Sequence, residues 1–406
     1  MKTASVVIGL NYGDEGKGLF TDYLTKNINI DEPKLVVRYN GGCQAGHTVE
    51  KANGERYVFS AFGAGTFNKV PTYYSKRFIM NPFVFMDQYN ELYFKGYKPL
   101  TYIHPECSIT TAFDVAINRL FENSKDLDVR GSVGIGVWET LERSRELIDI
   151  KVKDLYNEEV LERKLNSIIK YYFIPRCKDL GLKEKFVHNF LYEWKDKYVI
   201  STKFACEFLN KHTIMIDDKI LDYFSDVVFE GAQGMLLDID RDYEFGTCSH
   251  TGFNYVNEIL ENYPTVDIEV YYITRSYLTR HGAGPIASIE AGNMNDGYHN
   301  FDGYFKVNEK TNHFNEWQRN FRYGYLNIDS ILNMVDDDST YHFPSTKRNL
   351  VITHVDEIRT LSKYAYYEDN KKFYQEFDLM VNDHFRNEFK SILISTGPTS
   401  NDIKYY

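Results

Sequence analysis

The chain has 406 residues, of which 43% are hydrophobic and 26% charged, the make-up of an ordinary globular protein of one large domain or two to three smaller ones. Its formal net charge of −11 argues against nucleic acid or an anionic membrane as its main partner, yet leaves room for a phosphorylated small molecule in a local basic pocket. No run approaches the roughly 18 apolar residues of a membrane helix, the apolar start is too short for a signal peptide, and five cysteines without paired metal-ligand spacing suit free thiols in the cytoplasm.

Short apolar runs at Val6–Ile8, Leu35–Val37, Val227–Phe229, Val270–Ile273, Leu350–Thr353 and Ile392–Ser395 read as buried strands. Most lead through a glycine or polar loop into helical periodicity. That order predicts an α/β fold with a large, mainly parallel central sheet flanked by helices. Ligands of such sheets collect at the carboxyl ends of the strands, so the loops after these runs are where chemistry is expected. Between residues 150 and 215 the pattern changes. Val160, Leu161, Leu165, Ile168, Ile169 and Tyr172 form an apolar stripe at helical spacing, which predicts an inserted helical subdomain. No linker or repeat divides the chain, so residues 1–406 read as one domain carrying that insertion.

The first strand runs into Gly13, Asp14, Glu15, Gly16, Lys17 and Gly18. Glycines let backbone N–H groups close around phosphate oxygens, and Lys17 adds a point charge. The common phosphate loop ends in Gly-Lys-Ser/Thr, whose hydroxyl serves magnesium. Here position 18 is glycine, and a carboxylate, Asp14, sits inside the loop instead. A carboxylate against phosphates requires a cation or a proton, which marks Asp14 as a magnesium ligand, a general base, or both. After the second strand, residues 41–48 read Gly-Gly-Cys-Gln-Ala-Gly-His-Thr, with His47 in a small-residue loop at a strand end, a place that hosts catalysis.

Together these two loops resemble the adenylosuccinate synthetase family, with Asp14 and His47 separated by 33 positions. Further motifs follow in the family's order. They are Glu-Gly-Ala-Gln-Gly at 230–234, the turn at 243–252, Thr-Arg-His-Gly-Ala-Gly-Pro at 279–285 and Ser-Thr-Gly-Pro at 395–398. The resemblance implies a P-loop-NTPase-like sheet and a GTP-dependent ligase that joins aspartate to C6 of IMP through a 6-phosphoryl intermediate. It implies Asp14, Lys17 and His47 as catalytic residues, and magnesium held by Asp14 and the Gly46 carbonyl. For GTP it implies Gly13, Glu15, Gly16, Lys17, Gly18, Thr48, Asp356, Ser395, Thr396 and Gly397. Asp356 follows a strand in Thr-His-Val-Asp, and a carboxylate there accepts both the N1–H and 2-amino donors of guanine. For the purine monophosphate the implied residues are Asp14, Gln44, Ser132, Gln233, Thr247 and Arg319. The resemblance also implies a homodimer in which Arg143 or Arg145 enters the neighbouring subunit's purine site.

The chain departs from the family pattern in places. His354 stands where the family has lysine, and Gln44 where it has asparagine. The loop at 131–139 is shortened. In the amino-acid loop Arg319 and Arg322 remain as carboxylate clamps, but Glu316 and Trp317 replace two threonines. Three other readings therefore stay open: the related phage-type enzyme that aminates dGMP, an enzyme using another amine donor, and a guanine-nucleotide-binding protein without ligase activity. Segments 41–55 and 311–323 are candidates for mobile loops.

Overall fold

The computed structural model describes residues 1–26, 32–124, 132–241, 245–282, 284–287, 321–358 and 362–406. Ten strands make the main sheet: β1 (Thr3–Gly9), β2 (Lys34–Arg38), β3 (Thr72–Tyr74), β4 (Thr101–Ile103), β5 (Ile214–Met215), β6 (Asp226–Glu230), β7 (Asp267–Arg275), β8 (Lys347–Thr353), β9 (Ser391–Ser395) and β10 (Ile403–Tyr405). Their spatial order is β10-β9-β8-β7-β1-β6-β2-β3-β4-β5. Every pairing is parallel except that of β9 with the edge strand β10.

The six apolar runs of the sequence occupy six contiguous central strands, from β9 through β2. Helices cover both faces of a parallel sheet, so its strands are apolar at successive rather than alternate positions. Val6, Val7, Ile8, Val36, Phe229, Val270 and Ile352, for example, are all buried. The strands β3, β4 and β5 are two or three residues long, too short to register as runs, and they extend the sheet beyond β2.

Between β4 and β5 the chain forms the helix Glu158–Ile168, a π-helical turn Ile169–Phe173, the helix Ile174–Asp179 and a 29-residue helix, Glu184–His212. The Asn157 side chain accepts from Val160 N–H and starts the first of them. The Ile174 N–H reaches back to the Ile169 carbonyl, one residue further than in an α-helix, immediately before Pro175, which has no N–H to give. Leu161, Leu165, Ile168, Ile169 and Tyr172 of the apolar stripe are buried, in a core shared with Phe59, Phe62, Phe85 and Phe113. A second core lies under the sheet around Phe229, Phe253, Tyr272 and Phe385. No helix among the described residues is long and apolar enough to cross a membrane. All five cysteines are buried and unpaired.

Candidate functional site

The loops at the carboxyl ends of β1, β2, β6, β7, β8 and β9 border one cleft of about 640 Å³. At its floor β1 delivers the glycine loop into the helix α1 (Lys17–Thr25), whose N-cap, Gly16, has a left-handed φ of 98°. Gly16, Lys17 and Gly18 therefore present the helix N-terminus to the cleft, an arrangement that favours anions. The missing hydroxyl at position 18 has a steric cause. A Cβ on Gly18 would lie 2.9 Å from the His47 carbonyl carbon and Cβ and from the Thr48 carbonyl oxygen. The hairpin His47–Glu50 with Arg56–Phe59 packs directly on α1, and no Ser or Thr fits between them.

Glu15 is turned inward. One carboxylate oxygen accepts the N–H groups of Asn11 (3.1 Å) and Gly13 (2.8 Å), and the other meets Lys17 Nζ at 2.6 Å. Its side chain is thus the internal brace of the loop and does not border the cleft, so of the implied phosphate contacts only its backbone remains available. Thr353 at the end of β8 donates to the Glu15 carbonyl at 2.8 Å and braces the loop from the other side.

Asp14 adopts a left-handed φ of 60°, a strained conformation for a non-glycine residue. Two side chains from the β7 end hold it there. Arg275 Nε donates to its carbonyl at 2.6 Å, and His281 Nε2 lies 3.3 Å from its Oδ2. Its side chain stays 29% exposed, open to the cleft. Burial pushes the carboxyl upward, but the hydrogen bond and charge of His281, then Arg275 and Lys17, outweigh it and hold the group below its ordinary value. Asp14 is thereby kept as a carboxylate, ready to accept a proton or a cation. Gln233 (φ 65°) and His354 (φ 59°), which also border the cleft, share the left-handed conformation.

His47 stands opposite on the hairpin. Its Nδ1 lies 2.8 Å from Glu230 Oε1 at the end of β6, and both side chains are buried. Glu230 also accepts the Ala64 N–H, and Arg38 Nε is 4.0 Å away. Burial lowers the His47 pKa more than Glu230 raises it, while His47 and Arg38 keep Glu230 low against its own burial. The pair is a neutral imidazole donating from Nδ1 to a carboxylate. Nε2 has no partner among the described residues, and His47 borders the cleft.

Gln44, Gly46, Thr48, Ser132, Gln233, Thr247, Asp356, Ser395 and Gly397 border the same cleft. The carboxylate-bearing Asp356 is exposed there, whereas His354 beside it is kept neutral by burial and then by the nearby Arg275 charge. The structure withdraws other residues from the cleft. Thr396 is held in the C-terminal turn by its N–H bond to the Asp402 carbonyl. Arg143 corrects the expectation for it. It is fully buried, pairs with Asp114 through Nε (2.7 Å) and Nη2 (3.0 Å), and donates to the Ile109 and Ile148 carbonyls. Such an arginine is a core strut and has no reach toward another subunit; Arg145, paired with Glu142, is the surface arginine of the helix Val137–Arg145 that carries both. Arg322 sits on the strand Arg322–Gly324 and donates to the Gly282 carbonyl at 2.7 Å, away from the cleft border. Its pKa is lowered to about 10 by burial and the Arg280 charge. Arg319, Glu316 and Trp317, Gly131, and residues 243–244 of the turn lie outside the described residues, as does most of segment 311–323.

Sequence reasoning assigned no role to Glu230, Arg275, His281 or Thr353. A signal was present for three of them: each is a polar residue at the carboxyl end of a buried parallel strand. Their partners are far apart in the chain, and only the fold joins them.

A sequence model described as adenylosuccinate synthetase matches residues 6–392. The chain belongs to the adenylosuccinate synthetase family. It is 29% identical over 297 residues to the adenylosuccinate synthetase of Histophilus somni and 30% identical over 285 residues to that of Tropheryma whipplei. These matches cover 71% and 70% of this chain but only 65% and 64% of the two relatives, so the aligned part spans less than two thirds of their length. The fold is like that of the fully ligated adenylosuccinate synthetase of Plasmodium falciparum, with a TM-score of 0.67, 18% identity and 99% of both chains covered. It is also like that of a cyanophage S-2L succinoaminodeoxyadenylate synthetase bound to dGMP and dATP, with a TM-score of 0.61, 12% identity, and 100% and 95% covered.

Proposed function

We propose that this chain is a GTP-dependent ligase that joins aspartate to C6 of IMP and releases GDP and phosphate. The observation that carries the reading is the convergence of Asp14, Lys17 and His47 on one cleft that also takes in Gln233 and Thr247 on one side and Asp356 and Ser395 on another. That gives room for two nucleotides around one glycine loop. A 6-oxopurine oxygen is a weak nucleophile and a poor leaving group. Asp14, held as a carboxylate, accepts the N1 proton and shifts electron density to O6. O6 then attacks the γ-phosphorus of GTP, and the bond to the bridging oxygen of GDP breaks. His47 takes up a proton from solvent at Nε2 as negative charge develops nearby, and that Nε2–H donates to the transferring group while Glu230 balances the imidazolium. Lys17 and the α1 N-terminus neutralise phosphate charge. The aspartate amine finally displaces phosphate from C6.

Magnesium suits this site. Asp14 and Gly46 both border the cleft and supply hard oxygen donors, a part-exposed carboxylate and a backbone carbonyl. When bound, the ion supplies charge neutralisation on the phosphates. A homodimer belongs to the same reading, with Arg145 as the surface arginine available to a neighbouring subunit.

The test is phosphate release with IMP or dGMP crossed with aspartate or other amino acids. The reading requires release only when GTP, IMP and aspartate are all present, and Asp14→Asn must abolish it. Release with dGMP instead of IMP would replace this reading by the phage-type one; release with a different amino acid would change the amine donor. Tight GTP binding without any release would make the chain a binding protein.

A further inference from the structure

One wall of the cleft is the loop 132–136, strapped to the helix Ala112–Ser124 by two of that helix's side chains. Arg119 Nε donates to the Gly134 carbonyl at 3.1 Å. Asn118, buried and on the cleft border, spans the loop. Its Oδ1 accepts the Gly136 N–H at 3.0 Å, and its Nδ2 reaches Ser132 Oγ at 2.9 Å. A backbone N–H only donates, so the Gly136 contact fixes which end of the amide is oxygen, and the end at Ser132 is the donor. The Gly134 N–H also points at Ser132 Oγ, from 3.4 Å. Ser132 Oγ is thus an acceptor toward its own loop, and its proton meets no acceptor among the described residues. The loop is fixed in place: Gly136 has a φ of 82°, and a Cβ there would lie 2.7 Å from the Val115 nitrogen. Cys248, next to Thr247, packs with Ile135 and Val137, which sets the loop against the Thr247 turn.

We propose that Asn118 is a positioning residue for the purine monophosphate: by donating to Ser132 Oγ and anchoring Gly136, it holds the Ser132 hydroxyl so that its proton is offered to a phosphate oxygen in the cleft. This rests on the functional reading above, which takes the monophosphate to lie at Ser132 and Thr247. A hydroxyl alone is indifferent, since it donates or accepts as its partner requires. With Asn118 donating into it, Ser132 favours a group that only accepts, which a phosphate dianion does and an amine or amide N–H does not. IMP and dGMP carry the same phosphate, so the role is independent of the base.

A double-mutant cycle read by calorimetry tests the role. IMP is titrated into the wild-type chain, Ser132→Ala, Asn118→Ala and the double variant, with GTP and magnesium titrated into each as a control. Ser132→Ala is expected to weaken IMP binding roughly 10-fold, the low end for one hydrogen bond to a charged group. Asn118→Ala keeps the hydroxyl but frees it to turn, and should weaken IMP roughly 3- to 10-fold, the span of a neutral hydrogen bond. The double variant should bind IMP like Ser132→Ala alone, because Asn118 then has nothing to orient. Asn118→Asp keeps the shape and the Gly136 bond but accepts the Ser132 proton itself, so it should weaken IMP at least as much as Ser132→Ala and serves where the alanine variant fails to fold. GTP affinity should be unchanged throughout. An Asn118→Ala effect that persists in full on the Ser132→Ala background, a parallel loss of GTP affinity, or an aspartate variant that binds IMP as the wild type does overturns the inference and leaves IMP-dependent phosphate release to stand on its own. A wild-type chain that binds neither IMP nor dGMP removes the purine site and the inference with it. A non-additive cycle in a protein that releases no phosphate upholds the inference and removes the ligase reading.

Discussion

Replacing Glu230 by glutamine tests the electrostatic part of the His47 site. In the wild-type protein Glu230 Oε1 accepts from His47 Nδ1 at 2.8 Å and from Ala64 N–H at 3.3 Å. A glutamine with its carbonyl oxygen in that place keeps both bonds and the His47 tautomer. Its amide nitrogen then lies where Oε2 was, 4.0 Å from Arg38 Nε and 3.1 Å from the Ala64 nitrogen, so the shorter Ala64 N–H bond is lost and the buried arginine loses its counter-charge. What disappears is the negative charge that balances an imidazolium. Two unit charges 4 Å apart interact by about 4 kcal/mol at an effective dielectric of about 20. With the proton only partly transferred at the transition state, about 2–3 kcal/mol of that is lost, or about 30- to 160-fold in kcat at about 1.4 kcal/mol per factor of ten. Phosphate release at saturating GTP, IMP and aspartate measures it. The KM for GTP should move little, because the charge develops after binding. A kcat within threefold of wild type would refute the role given to Glu230. A thermal melt must accompany the assay, since leaving Arg38 unbalanced also destabilises the fold.

Other perturbations test the surrounding structure. Gly18→Ser, which restores the hydroxyl of the common phosphate loop, should not improve the site; the clash with the His47–Thr48 backbone should cost about 1–3 kcal/mol and lower Tm and kcat together. Arg143→Ala leaves Asp114 buried and unpaired and should cost about 3–5 kcal/mol in chemical denaturation, whereas Arg145→Ala at the surface should stay within about 0.5 kcal/mol. His47 and His354 are kept neutral in the folded state, while unfolded histidines take up protons below about pH 6.5. The unfolded state then binds more protons, so stability should fall as pH drops below about 6.5 and level off above it, by at most about 1.4 kcal/mol per pH unit for each histidine. Tm measured from pH 5 to pH 8 checks the direction, and His354→Gln should flatten the slope.

The centre of the fold was legible because burial on both faces leaves parallel strands continuously apolar, a pattern that needs no partner to be seen. The strands β3, β4 and β5 were not legible, because they owe their existence to the neighbour they pair with. Of the site, the glycine loop and His47 stood out through local composition. Arg143 misled for the opposite reason. It lies in a charged stretch, Glu139 to Glu146, that reads as a solvated helix face, and the carboxylate that draws it into the core is Asp114 on another helix. His281 carries no local mark of its role and Glu230 none beyond its place at a strand end, since each acts on a residue nearly 200 or more positions away.

The brace between Glu15 and Lys17 has a consequence for selectivity. The cradle's lysine already has an anion at 2.6 Å, and both side chains are buried. A free sulfate or phosphate ion must share that lysine with Glu15 and gains little from long-range attraction, so the loop is a poor trap for the small anions of a cell. A nucleotide brings further contacts along its length and tolerates the weaker first attraction. Because the pair is neutral as a unit, nucleotide affinity should depend only weakly on ionic strength, unlike that of a site built on an unbalanced cation.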